Sequence, residues 1–430
     1  MPAKGGYQPL DSSLLRKRYA SERRYKAYGL VAILIGLGFL VMLFTSIIGN
    51  GWPAFLQSSI TLDVYLDKEV INPDGNADEQ ALFRANYTKL ARQALYKKLG
   101  FSELPDRVTR RKLNQLLSRG VDVQIRDVVL ADQSRIGQTV EIDLFAHGDV
   151  DALLKGSISR DTPSDRRQLD DQQVEWVDKL VADGVLAKKF NWGLFKFGAS
   201  SQPETAGLLV ALIGSFFMML TVIVLAVPLG VAAAAYLEEF APKNWLTDII
   251  EVNINNLAAV PSIVFGLLGL AVFINMFGLP RSAAVIGGLV LTLMTLPTII
   301  IATRAAIRAV PPSIREAALG VGASKMQTLF HHTLPLALPG ILTGTIIGLV
   351  QALGETAPLL MIGMVAFVVD APSTPFEPST ALPVQIYMWA TSAERGFVER
   401  TAGATIVLLM FLIVMNATAV ILRRRFERKW

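Results

Sequence analysis

The chain has 430 residues, of which 52% are hydrophobic and 18% are charged, and this apolar content predicts membrane-embedded segments. It contains no cysteine and only three histidines, which excludes disulfides, thiolate metal sites, iron–sulfur clusters, a cysteine nucleophile and a histidine-built metal centre. The net charge is +5, but the basic residues cluster beside apolar runs at both ends, where membrane orientation accounts for them, so nucleic-acid binding is disfavoured.

The first predicted transmembrane helix follows a basic amino-terminal segment. Residues 1–28 are polar and rich in lysine and arginine, which predicts a cytoplasmic tail. Residues 29–49 then form an apolar run that carries no charge from Leu30 to Ile48. A secretory signal peptide is the alternative, but the segment lacks a small-residue cleavage site, and we therefore expect an uncleaved signal anchor.

Residues 50–205 change character, with charges every few positions and no run long enough to cross a bilayer. They predict one extracytoplasmic, periplasmic α+β domain inserted between the first and second transmembrane helices. The predicted strands are 60–66, Val121–Leu130 and Val140–Phe145, and the predicted helices are Asp78–Leu99, Arg107–Ser118 and Asp165–Ala182. Asp143 and Asp149 flank His147, but a strand end followed by a helix cap explains this trio better than catalysis does.

Residues 206–425 form a predicted helical core with five further apolar runs. These runs are Gly207–Tyr236, Leu257–Phe277, Ser282–Thr303, Gly340–Val368 and Ala402–Leu422. Because the first helix starts inside, the basic loop 304–339 and the basic carboxyl-terminal tail both fall in the cytoplasm. The sequence therefore predicts an α-helical, multi-pass inner-membrane protein with six transmembrane helices and both termini cytoplasmic.

No phosphate-binding loop of the form G-x-x-x-x-G-K-[ST] occurs in the chain. The nearest segment, 320–325, lacks the Gly-Lys-Ser/Thr ending and follows no predicted strand. If transport is driven by ATP, a separate ATPase must hydrolyse it. We therefore expect a transport subunit that is not an enzyme and needs no cofactor.

A surface helix is predicted in the cytoplasmic loop, because two prolines precede a short segment that ends at glycine. Its residues alone are compatible with a plain loop helix. However, Glu316-Ala317-Ala318, followed by Gly322 and then by Leu334-Pro335, resembles the EAA motif of binding-protein-dependent ABC permeases. This resemblance implies the type I ABC importer permease fold and a coupling helix that docks onto a partner ATPase.

Three further stretches narrow the resemblance. They are Pro228-Leu229-Gly230 leading to Tyr236-Leu237-Glu238-Glu239-Phe240-Ala241, then Val260-Pro261-Ser262-Ile263-Val264-Phe265-Gly266, and Ala352-Leu353-Gly354-Glu355-Thr356-Ala357-Pro358-Leu359-Leu360. Together they are similar to the PstA-type permease subunit of the phosphate importer, over residues 205–425. That resemblance implies inorganic phosphate as the cargo, a PstC-like second permease, a PstB-like ATPase dimer and a periplasmic PstS-like phosphate-binding protein.

The fifth apolar run carries small residues at helical spacing. Gly340, Gly344 and Gly348 form a small-xxx-small pattern, which predicts close packing against another helix. Gln351 and Glu355 continue the same stripe. A carboxylate within the bilayer marks either a transport path or a structural ion pair, and both interpretations stay open for Glu355.

An anion that leaves water needs cationic or N–H-donating partners. Arg304 matches an arginine that the family carries at the end of the fourth helix, and a topology anchor is an equally good interpretation of it. Gln351 keeps a donor but lacks the charge of the arginine that family members commonly have there. The candidate path residues are Arg304, Gln351, Glu355 and Thr356.

Two other functions are compatible with the sequence. A permease for another oxyanion, such as sulfate, molybdate or phosphonate, would share the EAA element. A membrane sensor or scaffold would bind an external ligand through residues 54–203, although no cytoplasmic signalling domain is predicted after the sixth helix. An enzyme is disfavoured, because no cluster of acid, base and nucleophile can be assembled.

Overall fold

The structure is a computed structural model that describes residues 12–72, 79–101, 103–160, 163 and 167–426. The chain divides into two units, Met1–Asn50 and Gly51–Trp430. The first unit holds nearly all of the helix Ser12–Gly51, which is long and apolar enough to cross a membrane. Residues 12–28 of the predicted tail are therefore helical.

The inserted domain is built on a three-stranded antiparallel sheet. Strand β1 (Leu56–Tyr65) lies in the centre, with β2 (Thr139–Phe145) and β3 (Leu186–Phe190) on its two sides. The register places Leu62 opposite Ile142 in the β1–β2 pair. Alternate side chains of β1 enter the core, because successive residues of a strand point to opposite faces.

Helices pack around this sheet. They are Lys68–Ile71, Glu79–Arg84, Tyr87–Leu99, Arg107–Asn114, Val121–Ala131, Gly148–Lys155 and Asp171–Ala182. The short helix Gly193–Lys196 lies apart from them, with Leu194 in a cluster with Trp389 and Phe397, and 3₁₀ turns occur at Trp52–Phe55, Gln133–Arg135 and Pro203–Thr205. One hydrophobic core joins sheet and helices, and it includes Ile60, Tyr87 and Val177. The predicted α+β class of this domain is confirmed.

The predicted strand Val121–Leu130 is wrong, since the helix Val121–Ala131 takes its place. Its three fully buried side chains recur at every fourth position: Val121, Ile125 and Val129. That spacing puts them on one helical face. The strand that the sequence did not reveal is β3, where only the first residue is buried, so no alternation of polar and apolar residues marks it.

Two predicted helices differ in extent. The predicted helix Asp78–Leu99 is interrupted, because the side chain of Asn86 caps a second helix by accepting a hydrogen bond from the Lys89 N–H at 3.1 Å. The predicted helix Arg107–Ser118 ends at Asn114. Asp78 and Asp165, which start two of the predicted helices, lie outside the described residues.

Within the described part of the chain, five helices are long and apolar enough to cross a membrane, and a bent pair brings the number to as many as six. The five are Leu15–Phe55, Leu209–Phe240, Ala284–Arg308, Lys325–Gly354 and Gly396–Arg425. The bent pair is Trp245–Ala258 with Ser262–Met276, at an angle of 101°. Shorter helices are Pro312–Gly320, Ala357–Met361 and Leu382–Ala390. This architecture agrees with the predicted six-helix membrane class.

Two predicted spans have a different shape in the structure. The predicted span Leu257–Phe277 is not one straight helix, because the chain bends before Pro261, which cannot continue the preceding helix. The predicted span Gly340–Val368 is wrong at both ends. The helix Leu334–Gly354 starts earlier and stops at Gly354.

Buried charges join the inserted domain to the last long helix. The Lys155 Nζ lies 2.6 Å from a carboxylate oxygen of Asp151 and 2.6 Å from one of Glu399, and the Lys155 side chain is only 2% exposed. Next to Glu399, Arg400 is also buried and donates from Nη2 to Gln57 Oε1 at 2.5 Å. Because charges out of water are tolerated only when paired, this cluster fixes where the domain meets the helix.

Candidate functional site

A short helix, Pro312–Gly320, stands on the loop between two long helices. Proline at its start suits the first turn, where no N–H partner is needed. Past its end, Gly322 has a φ of +93°, a left-handed conformation that glycine adopts without strain. The Ala323 N–H then donates to the Ala318 carbonyl at 3.0 Å and closes the helix end. We call Pro312–Gly320 the loop helix.

The loop helix presents a mixed surface. Glu316 and Ala317 are exposed, whereas Ala318 is buried against the protein. Large apolar side chains are exposed beside them, and Val321 is 87% exposed. The others in this group are Leu319, Met326 and Phe330. An exposed apolar patch bordered by a charged side chain is typical of a surface that a partner protein covers.

Arg315 connects the loop helix to two long helices. Its Nη2 donates to the Ile307 carbonyl at 2.6 Å, and Ile307 lies in the helix Ala284–Arg308. Its Nε lies 3.1 Å from a carboxylate oxygen of Glu239, in an ionic contact without hydrogen-bond geometry. Glu239 lies in the π-helical turn Tyr236–Phe240 that ends the second long helix. One side chain therefore joins the loop helix to both long helices.

Arg304 lies at the centre of an ion-pair network beside the loop helix. It is 7% exposed, its Nε is 2.5 Å from Glu238 Oε1, and its guanidinium also pairs with Glu251. The second oxygen of Glu238 lies 2.8 Å from the Arg308 Nε. The network ties three helices together. Glu238 and Glu239 belong to the stretch Tyr236–Ala241 that carries part of the family resemblance, but the sequence did not predict their ion pairs, and no sequence signal marks Glu251. Adjacent acidic residues at the end of an apolar run are a signal that could have predicted the pairing of the first two.

The predicted glycine stripe lies against the helix Ala284–Arg308. A Cβ added at Gly344 would lie 2.1 Å from the Ala302 Cβ, and one at Gly340 would lie 2.7 Å from the Ala306 Cβ. Real Cβ atoms do not approach that closely, so the two helices contact through glycine and alanine. At Gly348 the nearest atom would be 3.5 Å away, which is ordinary van der Waals contact.

Leu334 and Pro335 lie where the π-helical turn Leu329–Thr333 becomes the helix Leu334–Gly354. Proline has no N–H, and its ring crowds the carbonyl four residues earlier, so regular α-helical hydrogen bonding is disfavoured at this point. The wider π turn accommodates it. The motif's Leu-Pro pair thus marks the change from a π-helical turn to the α-helix Leu334–Gly354.

The chain leaves the helix at Glu355. The helix ends at Gly354, and Glu355 has extended backbone, with φ −77° and ψ 128°. Proline at the second position of Ala357–Met361 then starts a new short helix. The expectation that Glu355 continues the helical stripe of glycines is therefore wrong, because that stripe ends within the helix before it.

A second helix break lies against the first. The helix Ser262–Gly269, which follows the break at Pro261, packs on Ala357–Met361. A Cβ at Gly266 would lie 2.7 Å from the Pro358 Cα, so glycine allows this contact. Two stretches far apart in sequence therefore form one place where helices are interrupted. Irregular backbone at membrane depth is stable where protein covers it or where it lines a watery path.

Polar side chains stand beside these breaks. Gln351 is exposed, and Glu355 and Thr356 are half-buried. The Glu355 carboxylate makes no hydrogen bond or ion pair with any residue that the structure describes. The Thr356 carbonyl accepts the first hydrogen bonds of the following short helix. Arg304 belongs to the separate ion-pair network, so the four candidate path residues do not form one cluster.

Two family models match the chain. Residues 226–430 match the binding-protein-dependent transport system inner membrane component, and residues 12–164 match a domain of unknown function, DUF3333. The probable ABC transporter permease protein YqgI of Bacillus subtilis is 32% identical over 56% of this chain and 85% of that protein. The phosphate transport system permease protein PstA 1 of Mycobacterium tuberculosis (strain H37Rv) is 31% identical over 53% of this chain and 72% of that protein.

Among solved structures, a chain of the inward-facing MetNI methionine ABC transporter has a TM-score of 0.42 and 18% identity, and the match covers 51% of this chain and 98% of that chain. The loop helix and the matched family model define a permease subunit of an ABC importer. The chain belongs to the binding-protein-dependent ABC permeases, and within them it is of the PstA type. It is a multi-pass inner-membrane protein and is not itself an ATPase.

Proposed function

We propose that this chain is the permease subunit of an ATP-driven importer of inorganic phosphate. Identity of about 30% to proteins described as phosphate transport system permeases, from Mycobacterium tuberculosis, Yersinia pestis and Haemophilus influenzae, supports phosphate as the cargo. The observation that carries the coupled mechanism is the loop helix, whose exposed apolar and acidic surface is joined by Arg315 to two long helices.

In this mechanism the loop helix docks onto a PstB-like ATPase dimer in the cytoplasm. Glu316 and Ala317 face the ATPase, and Ala318 packs against the permease. Closure of the ATPases on ATP displaces the loop helix, and Arg315 passes that displacement to the helix Ala284–Arg308 and to the end of the second long helix. Alternating access follows when these helices move together.

A PstC-like second permease completes the translocation path, and a periplasmic PstS-like phosphate-binding protein delivers the anion. In this orientation both termini are cytoplasmic and residues 50–205 are periplasmic. The path runs beside the paired helix breaks, where Gln351 and Thr356 offer hydrogen-bond donors. Arg304 acts as an anchor of helix ends, because carboxylates of the same chain already occupy its Nε and one terminal nitrogen.

Glu355 has a gating role in this proposal. Its carboxylate would repel a phosphate anion at close range, so it cannot serve as the binding group while it is charged. An unpaired carboxylate at a helix break is available to a cation from the second permease. We assign Glu355 to an ion pair with such a cation, which would form in one state of the transport cycle and break in the other.

Uptake of labelled phosphate by proteoliposomes that contain the whole complex tests the proposal. Phosphate should accumulate only with ATP, and a tenfold excess of unlabelled sulfate or molybdate should leave the rate unchanged. The Glu316→Lys variant should abolish uptake, whereas Lys98→Gln, an exposed change in the inserted domain, should not. Transport of sulfate or molybdate instead would identify a different oxyanion importer. Unchanged uptake with Glu316→Lys would remove the role of the loop helix.

A further inference from the structure

A basic cleft of about 1270 Å³ lies in the inserted domain. Six cationic side chains line it: Lys89, Arg92, Arg107, Arg110, Arg111 and Arg119. Asp149 is the one carboxylate among the described residues that line it. Cations gathered around a concave surface with a low-dielectric wall focus a positive potential there. The cleft is therefore suited to an anion.

Two helices supply most of the cations. Arg107, Arg110 and Arg111 share one face of Arg107–Asn114, because residues three and four apart lie together on a helix. Lys89 and Arg92 share a face of the helix Tyr87–Leu99 in the same way. The Tyr96 Oη donates to Asn114 Oδ1 at 2.6 Å and fastens one helix to the other. The charges thus stand on fixed walls, not on separate loops.

None of the six cations of the cleft forms an ion pair with a residue that the structure describes, so within the described part of the chain they are available to a ligand. The carboxylate in the cleft is occupied: His147 Nδ1 lies 3.2 Å from Asp149, and the Gln168 side-chain amide lies 2.7 and 2.8 Å from its two carboxylate oxygens. Asp106, next to the cleft, accepts hydrogen bonds from two N–H groups at the start of its helix.

The lining favours a small polyanion over a protein surface. The centre of a protein interface usually offers aromatic or aliphatic anchors. Among the described lining residues, Leu104 is the one exposed large apolar side chain, because Tyr96, Leu117, Val121 and Leu169 are buried. Most of the remaining uncharged lining consists of amide and hydroxyl side chains. Guanidinium groups match the paired oxygens of phosphoryl groups.

The number of cations indicates the size of the ligand. A single phosphoryl group carries about −1.5 to −2 charges at neutral pH and engages only a few donors. Six cations on two walls can instead neutralise several such groups at once. Along the helix Tyr87–Leu99, Lys89 and Tyr96 are separated by about 10 Å at the standard rise per residue, which is longer than one phosphoryl group.

We propose that the basic cleft binds a linear anion that bears several phosphoryl groups. All six cations of the cleft lie within the part of the chain matched by the domain of unknown function and outside the part matched by the permease family, so the proposal does not depend on phosphate being the transported cargo.

Calorimetric titration of the purified full-length protein, in nanodiscs of uncharged phosphatidylcholine, tests the proposal with inorganic tripolyphosphate as the probe. Arg92→Gln with Arg110→Gln removes one cation from each wall. Arg84→Gln with Lys98→Gln is the matched control, because it removes the same charge from exposed positions outside the cleft. Orthophosphate is titrated in parallel, and circular dichroism verifies that both double variants fold.

We expect the cleft variant to bind tripolyphosphate at least tenfold more weakly and the control to stay within twofold of the parent protein. Orthophosphate should bind the parent at least tenfold more weakly than tripolyphosphate does. Equal weakening in both double variants would show a general charge effect and overturn the proposal, as would equal affinity for the two anions. If tripolyphosphate does not bind, and the cleft variant instead weakens association with the purified phosphate-binding protein, the cleft is a protein-docking surface and the proposal is wrong.

Discussion

Lys155→Met is expected to weaken the attachment of the inserted domain to the last long helix. The Lys155 side chain is 2% exposed, and its Nζ lies 2.6 Å from carboxylates of both Asp151 and Glu399. Methionine has a similar length but no charge. The substitution therefore leaves two carboxylates close together, with no cation between them and little water to screen them.

The size of the effect follows from the burial of the pair. Removing one partner of a buried ion pair costs about 3–5 kcal/mol, because the remaining charge is left uncompensated. For a domain of this size, each kcal/mol of lost stability lowers the midpoint temperature of unfolding by about 2–4 °C. We therefore expect Lys155→Met to lower this midpoint by roughly 6–20 °C.

Lys189→Met is the matched control. The Lys189 Nζ also lies 2.6 Å from a carboxylate, that of Asp143, but the two side chains are 47% and 49% exposed. Exposed pairs contribute about 0–1 kcal/mol, so this midpoint should fall by at most about 4 °C. Thermal unfolding of the full-length protein in detergent, followed by circular dichroism, measures both variants.

Adding Glu399→Gln to Lys155→Met should restore part of the lost thermal stability, because a neutral amide replaces one of the two facing carboxylates. Equal losses in the two lysine variants would show that burial of the Lys155 cluster does not determine its contribution. A double variant that is less stable than Lys155→Met would contradict the assignment of the loss to uncompensated negative charge.

Three further outcomes follow from the structure. Gly344→Ala should prevent assembly of a stable complex, because its Cβ would lie 2.1 Å from Ala302 Cβ, whereas Gly348→Ala should be tolerated. Size-exclusion chromatography shows which of the two variants assembles. Arg315→Met should leave ATP hydrolysis by the complex measurable while uptake falls at least tenfold, and equal loss of both would indicate failed assembly. The Asp149 carboxylate raises the pKa of His147 above 6.5, so this pair stabilises the protein below pH 6.5, and the stabilisation is lost as pH rises through the raised pKa. The midpoint of thermal unfolding should therefore decrease less between acid and neutral pH in His147→Gln than in the parent protein. An unchanged pH profile of the midpoint would contradict this role of the pair.

The membrane class, the inserted α+β domain and the loop helix could be predicted from the sequence, because each depends on local signals. Charge-free apolar runs mark spanning helices, and the prolines and glycine around Pro312–Gly320 mark a short helix. The glycine stripe was also visible as spacing alone. Resemblance to the EAA motif added the permease family, which the residues by themselves did not specify.

Other features depend on tertiary contacts and could not be predicted. The Val121–Ala131 segment alternates well enough to resemble a strand, and only burial of every fourth residue shows the helix. The break at Glu355 arises because glycine and proline act together around it, and an apolar run conceals it. The ion pairs of Arg304 connect residues more than fifty positions apart, which no local pattern indicates.

Cross-linking of the loop helix to its proposed partner tests the central claim most directly. The chain contains no cysteine, so Ala317→Cys introduces a single thiol at an exposed position of the loop helix. In the assembled complex, a short thiol-to-amine cross-linker should join this position to the ATPase subunit, and Lys98→Cys in the inserted domain should give no such product. Absence of a product with the ATPase, or labelling of the Ala317→Cys thiol by an impermeant reagent from outside the membrane, would contradict coupling through the loop helix.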